Sequence, residues 1–240
     1  MRTVAWVIIA VVVVAAAALV ALPYALANYY RPYTASTAAE PGYGYYGPGM
    51  MGSYGYYGAT SGYGGTVAIQ RAMSAAESIL PGSTAVRSND TVELVADGVV
   101  DVTAYAMMPD MAENMTGTAP PAYSSGDVFV IDGEINPTLV IRSTGPVELN
   151  LTLVNLDDDM YHNLVVTAEP PPYGYYPMSA MMGQSSMRMV PFLPPANYSA
   201  GVAYYYSYIS YLPGPGTYWY LCTYPGHAQE GMYGEILVEP

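Results

Sequence analysis

An all-β sandwich of antiparallel strands is the fold that this sequence predicts for most of its length. Short runs of β-prone residues follow one another between Gly- and Pro-containing turns. In one run, Val147, Leu149, Leu151 and Leu153 alternate with polar residues, as expected for a strand with one buried face. Hydrophobic residues make up 52% of the 240-residue chain, which is enough for a substantial core.

The N-terminus precedes this sandwich with an apolar segment. Val4 to Leu22 consists almost wholly of Ala, Val, Ile and Leu, and no charged residue lies between Arg2 and Arg31. About 20 apolar residues are enough to cross a bilayer as a helix. We therefore expect a transmembrane anchor within residues 1–30. A signal peptide cleaved near Ala25-Leu26-Ala27 is the alternative.

A linker and one short helix are predicted next. Residues 31–65 are mostly Tyr, Gly, Pro, Ser and Ala, a composition that cannot form a core and is typical of a spacer. From Thr66 to Leu80 the apolar residues recur at helical spacing, and Pro81-Gly82 ends the pattern. Residues 66–240 are thus expected to form one domain, with this helix as its N-terminal extension.

The strands of that domain are predicted from β-prone runs bounded by turn residues. They cover Val92–Val102, Val128–Ile131, Leu139–Ile141, Val147–Leu153, Val165–Thr167, Val202–Tyr211, Tyr218–Cys222 and Glu235–Val238.

Charge and cysteine content restrict the possible functions. Six Arg and no Lys stand against 19 acidic residues, for a net charge of −13, which argues against nucleic acid as a partner. The single Cys excludes an intramolecular disulfide. Few charged residues and 27 Tyr suit a surface that stays polar when carboxylates are protonated, so we hypothesise an acidic external medium. An ordinary acidic exported protein is the alternative.

One constellation of residues indicates a metal site. The only Cys and both His lie in the C-terminal third, and Cys222, His227 and Met232 follow the spacing Cys-X4-His-X4-Met, with His162 upstream. A thiolate and two imidazoles in one plane, with a weak thioether above, suit copper that cycles between Cu(I) and Cu(II). Zinc would prefer more Cys or His. A catalytic Cys–His pair would leave Met232 and the second His unexplained.

The segment from Cys222 to Met232, with His162-Asn163 upstream and the apolar segment before the domain, resembles sulfocyanin, a membrane-associated blue-copper protein of acidophilic archaea with a rusticyanin-like ligand loop. The resemblance implies a cupredoxin Greek-key β-sandwich and one type 1 copper ion held by His162, Cys222, His227 and Met232. It also implies that Asn163 and Thr223 face each other and form a hydrogen bond that ties the ligand loop to the neighbouring strand.

The function implied by this resemblance is electron transfer rather than catalysis. The chain would sit on the cell membrane as a single-pass protein with its copper domain outside. It would carry electrons in an archaeal respiratory chain, from a cytochrome b/Rieske-type complex to a terminal oxidase. Electrons from iron oxidation are a second possibility, and copper storage or delivery is an alternative of another class. No further His is present for a type 2 or trinuclear copper site, so an enzyme is not expected.

Two finer expectations concern the surroundings of the copper. His227 lies on a loop at the end of the sandwich, so it should be the port for electrons, with Pro225, Gly226, Ala228 and the methionines Met181 and Met182 forming an apolar patch around it. Asp157-Asp158-Asp159, just before His162, is expected to form a polar turn, with a docking patch as the alternative.

Overall fold

A computed structural model describes residues 63–78, 83–86, 90–95, 99–177 and 190–240. Their strands form two six-stranded sheets. In order across the first sheet these are β1 (Tyr63–Ala68), β10 (Val202–Leu212), β8 (Val147–Asn155), β4 (Val99–Met107), β5 (Val128–Ile131) and β6 (Glu134–Ile135). The second contains β2 (Ser83–Val86), β3 (Thr91–Val95), β7 (Thr138–Arg142), β12 (Tyr233–Glu239), β11 (Gly216–Leu221) and β9 (Val165–Thr167).

The main core lies between the two sheets. In β8 the predicted alternation is confirmed: Leu149, Leu151 and Leu153 are buried, while the polar residues between them are half-buried. They share one hydrophobic cluster with Ile236 and Val238 of β12 in the other sheet. Two mostly-β layers around one apolar interior are the predicted sandwich.

The strand directions differ from the prediction, because the sheets are mixed rather than purely antiparallel. β4 runs parallel to β8, and β7 runs parallel to both β3 and β12. The predicted strand Val92–Val102 is in fact two strands in different sheets, β3 and β4. Alternation of apolar and polar residues reports which face of a strand is buried, but it carries no information on strand direction or order.

The N-terminal extension begins as a strand and not as a helix. Residues 63–68, which include the end of the predicted linker, pair with β10 from Tyr63↔Ser207 to Ala68↔Val202. Helix α1 therefore begins only at Ile69 and ends at Ala76. Its predicted apolar face is present, with Ile69, Ala72 and Ala76 buried. The open edge of β10 competes with helix formation for the backbone of residues 66–68, which the periodicity of the sequence does not reveal.

A second helix was not predicted. Helix α2 (Pro109–Thr116) has Pro at its first position and ends at Gly117 in the left-handed conformation, with φ of 72°. Within the described ranges, no helix has the length and hydropathy needed to cross a membrane. The predicted anchor, residues 31–62 of the predicted linker, and the Met-rich segment 178–189 lie outside the described residues.

Tyrosine hydroxyls connect distant parts of the sandwich. The Tyr220 hydroxyl donates to the Pro137 carbonyl at 2.7 Å, and the Tyr208 hydroxyl donates to the Leu164 carbonyl at 2.8 Å. The backbone N–H of Leu164 donates in turn to the Tyr206 hydroxyl at 2.7 Å. Burial raises the pKa of Tyr220 and of Tyr206 well above the ordinary value. Their hydroxyls therefore stay protonated and form hydrogen bonds as neutral groups. They join the segments that carry the candidate site without using charged groups.

Candidate metal centre

The predicted ligands meet at one end of the sandwich. Cys222 directly follows β11, and His227 and Met232 lie on the loop that leads into β12. His162 lies between β8 and β9 and exchanges two backbone hydrogen bonds with Leu193. Because β9 pairs with β11, residues about 60 positions apart come together.

Three donor atoms form a compact triangle. The Cys222 Sγ lies 3.8 Å from the His162 Nδ1 and 3.6 Å from the His227 Nδ1, and the two Nδ1 atoms are 3.2 Å apart. Donors that bind one ion at about 2.0–2.3 Å and are spread by about 100–120° lie roughly 3.1–4.0 Å from one another. The triangle therefore has the size that one metal ion requires.

Met232 completes the set on the same loop. Its side chain is fully buried and belongs to the hydrophobic cluster that includes Cys222. Its backbone N–H donates to the His227 carbonyl at 2.9 Å, and its carbonyl accepts from the Cys222 N–H at 3.1 Å. Two imidazoles, one thiolate and a nearby thioether form a donor set that suits copper better than zinc.

Asp157 orients the first imidazole. Its Oδ2 lies 3.1 Å from the His162 Nε2, and both side chains are completely buried. A carboxylate only accepts, so Nε2 carries the hydrogen and the lone pair of Nδ1 faces the triangle. Burial alone would raise the pKa of Asp157, but hydrogen bonds from His162 and from the Asp159 N–H outweigh it and hold that pKa well below its usual range.

The loop before His162 is itself fixed by two side chains. The other oxygen of Asp157, Oδ1, accepts the backbone N–H groups of Asp159 and Met160 at 3.0 and 3.2 Å. Buried Asn155 donates to the Met160 and Pro194 carbonyls at 3.0 and 2.9 Å. The predicted polar turn is present, and its first carboxylate serves the metal centre.

Asn163 and Thr223 form the predicted contact, and it is double. The Asn163 Nδ2 donates to the Thr223 Oγ1 at 2.7 Å, while the Thr223 backbone N–H donates to the Asn163 Oδ1 at 2.7 Å. These residues directly follow His162 and Cys222. The two hydrogen bonds therefore fix the separation of the two ligand segments.

The sulfur of Cys222 lies in an apolar, fully buried position. Burial raises the pKa of this thiol to about 12, although backbone N–H groups of Asn163 and Tyr224 directed at the sulfur oppose the shift. An isolated thiolate would be unstable here. A coordinated metal ion removes the thiol proton, so the position favours a metal thiolate over a free one.

Backbone constraints hold the far end of the ligand loop. Gly231 has φ of +98°, and a Cβ at this position would lie 2.5 Å from the Ser124 Cα. Only glycine fits such a close approach. Its carbonyl accepts from the Asn136 Nδ2 at 3.0 Å, and the Asn136 Oδ1 accepts from the Phe129 N–H at 2.8 Å. Met232 is thereby attached to strand β5.

His227 is the less buried of the two imidazoles. Its side chain is 5% exposed, whereas that of His162 is 0% exposed. Burial, and then the neighbouring His162, lower the pKa of His227 to about 4. The imidazole is therefore neutral above about pH 4, and its Nδ1 lone pair remains available for a metal in moderately acidic solution.

Aromatic side chains surround His227 where a patch of small residues was predicted. Gly226 and Ala228 are buried and Pro225 is half-buried.

The Tyr224 ring lies 4.8 Å from the His227 ring, and Phe192 and Tyr161 lie 5.5 and 6.4 Å from Tyr224, measured between ring centroids. Phe192 is 42% and Tyr161 36% exposed. We call Tyr161, Phe192 and Tyr224 the aromatic patch. Met181 and Met182 lie outside the described residues.

Two carboxylates near the imidazoles were not predicted to belong to the site. Asp157 was assigned to a polar turn, with a docking patch as the alternative, and Asp127 was not singled out. The Asp127 Oδ2 lies 3.8 Å from the His162 Nε2 and 4.0 Å from the His227 Nε2. Burial, together with the adjacent charge of Asp157, raises the pKa of Asp127. The one feature of the sequence that could have indicated this role of Asp157 is its position five residues before His162. An Asp at such a spacing is common, so it does not identify a partner of the imidazole.

Comparison with known proteins identifies similar chains. Rusticyanin of Acidithiobacillus ferridurans is 28% identical over 170 residues, which cover 68% of this chain and 79% of that protein. A rusticyanin of Acidithiobacillus ferrooxidans is 30% identical over 112 residues, 46% of this chain and 66% of the relative. No protein-family model matches the sequence.

Solved structures show the same fold. The structure of rusticyanin from Thiobacillus ferrooxidans superposes with a TM-score of 0.53 at 24% identity and covers 75% of this chain and 100% of its own. Another rusticyanin structure, described as that of a copper protein, has a TM-score of 0.52 at 23% identity over 74% of this chain and 98% of its own. The described residues therefore have a two-sheet, cupredoxin-like fold, with a His-Cys-His-Met site compatible with copper.

Replacing Asp157 by Asn should raise the reduction potential of the copper-loaded protein. The variant keeps an acceptor for His162 but removes a buried negative charge that favours Cu(II) over Cu(I). One partly screened charge a few ångströms from the ion corresponds to a rise of roughly 50–100 mV. Spectroelectrochemical titration measures the shift. Asp158→Asn removes the same charge from an exposed neighbour and should change the potential far less. Equal potentials in both variants would contradict this role of Asp157.

Removing the contact between Asn163 and Thr223 should loosen the site in two steps. Thr223→Val deletes the hydroxyl acceptor but keeps the backbone donor, so one hydrogen bond is lost. Asn163→Ala deletes both. Net losses of about 0.5–1.5 kcal/mol per hydrogen bond predict a larger drop in the free energy of unfolding for Asn163→Ala. Urea unfolding and the reduction potential report the effect. If Thr223→Val matched Asn163→Ala in both measurements, the double contact would not be the cause.

Proposed function

We propose that this protein binds one type 1 copper ion and transfers single electrons. The observation that carries the proposal is the triangle of Cys222 Sγ and the two Nδ1 atoms, with sides of 3.2–3.8 Å, in a buried position. The ion would be held by His162, Cys222, His227 and Met232, and it would supply reversible one-electron chemistry.

Burial of the ligands favours electron transfer over catalysis. His162, Cys222 and Met232 are fully buried, and His227 is 4% exposed. A substrate must contact the ion in order to react, whereas an electron can enter or leave through the edge of an imidazole. Hydrogen bonds accepted by Asp157, and those between Asn163 and Thr223, also hold the ligand segments in place, which suits a site that changes little between oxidation states.

The same burial disfavours copper storage or delivery as the role of this centre. Release of an ion would require separation of two loops joined at Asn163 and Thr223. A structure that closes around its ligands retains the ion and exchanges electrons instead.

The aromatic patch is the proposed docking surface for redox partners. It combines exposed apolar area with ring contacts that lead from Phe192 and Tyr161 through Tyr224 to His227. Small apolar surfaces suit partners that bind briefly and separate quickly. The port predicted at His227 is supported by its greater exposure relative to His162.

The cellular setting is proposed from the sequence. The apolar segment Val4–Leu22 supports a single-pass anchor in the cell membrane, with the copper domain outside. The resemblance to sulfocyanin supports a place in an archaeal respiratory chain, between a cytochrome b/Rieske-type complex and a terminal oxidase. Electrons from iron oxidation remain the second candidate, which rests on the resemblance of the ligand loop to that of rusticyanin.

The optical spectrum of the copper-loaded full chain tests the proposal. A His2Cys centre predicts one Cu(II) per chain, an intense visible band from thiolate-to-copper charge transfer, and bleaching on one-electron reduction. Cys222→Ser should abolish the band. A colourless protein that binds several Cu(I) ions would overturn the electron-transfer proposal in favour of copper delivery.

Electron self-exchange between two copies tests the docking surface without a partner. Phe192→Asp places a charge in the aromatic patch, so self-exchange measured by NMR line broadening in mixed redox samples should slow by about tenfold or more. The control is Tyr211→Asp, because Tyr211 is 65% exposed and pairs with Glu148, near the end of β8 that lies away from the metal centre. It adds the same charge and should leave the rate nearly unchanged. Equal slowing by both variants would place the electron port elsewhere.

A further inference from the structure

A cavity of about 370 Å³ lies between helices α1 and α2, away from the candidate copper ligands. Met73 of α1 and Glu77, the residue that follows this helix, line it on one side. The remaining lining comes from α2 and the residue before it: Met108, Asp110, Met111, Asn114 and Met115. The lining thus includes four methionines and two acidic residues.

The cavity methionines lie at the margin of the hydrophobic core, because Met73, Met111 and Met115 pack against it and remain partly accessible. Met107, the neighbour of Met108, is fully buried in the adjoining cluster and fills that core position. The cavity methionines, by contrast, are each half-buried. Four of the seven methionines among the described residues line this one cavity, which concentrates sulfur at the surface of the domain.

The spacing of the methionines along α2 explains why three of them line the same cavity. Met108 precedes α2, and Met111 and Met115 follow at three and seven residues, so the three project from one side of the helix. Met73 approaches from α1. The Tyr198 hydroxyl lies 3.7 Å from the Met111 Sδ and donates to the Leu156 carbonyl at 2.9 Å, which restricts one of the thioethers.

The chemistry of this lining selects a soft cation. A thioether sulfur carries lone pairs and no hydrogen, and it is not protonated in acid. Soft sulfur ligands select Cu(I) among the biological metals. Glu77 and Asp110 add negative charge, and neither Lys nor Arg lines the cavity. A groove for an apolar peptide would gain nothing from these carboxylates.

We propose that this methionine cavity is a second metal site that binds one Cu(I) ion through the sulfur atoms of Met73, Met108, Met111 and Met115. The site does not depend on the buried His-Cys-His-Met centre, because it shares no residue with it. It would hold copper as Cu(I) at the surface of the domain. It would still bind copper at low pH, because thioether ligands are not protonated in acid.

Ag(I), a soft monovalent ion without redox chemistry, is the probe for this site. The full chain is first loaded with copper at the His-Cys-His-Met centre and reduced, and its methionine methyl groups are labelled with 13C. Resonances are assigned by single Met→Leu substitutions, which nearly conserve side-chain volume. One equivalent of Ag(I) should shift the methyl signals of the four cavity methionines. Cu(I) added in competition with a chromophoric chelator should then titrate the same site.

Affinity provides the second measurement. Met111→Leu combined with Met115→Leu should lower the affinity for Cu(I) and Ag(I) at least tenfold. Met160→Leu, which removes a half-buried thioether outside the cavity, should leave it unchanged. The visible band of each Cu(II)-loaded variant reports that the fold and the other centre are intact. Shifts confined to methionines outside the cavity, or unchanged affinity in the double variant with an intact band, would overturn the second site.

Discussion

Two hydrogen bonds between Asn163 and Thr223 control the geometry on which the metal centre depends. Each residue follows a ligand directly, so the contact sets the distance between the segments of His162 and Cys222. It continues the pairing of β9 with β11, in which Val165 opposes Leu221. The other hydrogen bonds of the loop from β11 to β12, such as that from Asn136 to the Gly231 carbonyl, attach it to segments other than that of His162. The sandwich supplies two rigid strands, and this contact converts their proximity into a fixed arrangement of donor atoms.

The residues of the candidate site could be singled out because their types are scarce in this chain. With two His and one Cys among 240 residues, their clustering with Met232 had few competing explanations. Asp157 was harder to recognise, because an acidic turn looks the same whether its carboxylate points to solvent or to an imidazole. Strand positions followed from hydrophobic alternation, but the parallel pairing of β4 with β8 did not, since pairing partners are set by tertiary contacts.

The interior of the sandwich contains few charged groups, and hydrogen bonds between neutral groups connect its distant parts. Tyr220, Tyr208 and Tyr206 join distant backbone groups through neutral hydroxyls. Arg142, which pairs with Glu93 and Glu239, lies at the surface with a half-exposed side chain. Protonation of surface carboxylates therefore leaves the internal tyrosine contacts untouched. Asp132, Glu134 and Asp157 are the buried carboxylates among the described residues. At Asp157, hydrogen bonds with the loop and with His162 stabilise the charge that burial would otherwise disfavour.

The unequal exposure of the two imidazoles has a kinetic consequence for a carrier. His162 is fully buried and His227 is 4% exposed. If electrons pass only through the proposed port at His227, donor and acceptor compete for the same face and cannot be bound at the same time. Each turnover then consists of two successive encounters, and the carrier must leave one partner before it meets the next. Binding that is too tight on this face would slow the overall flux as effectively as binding that is too weak.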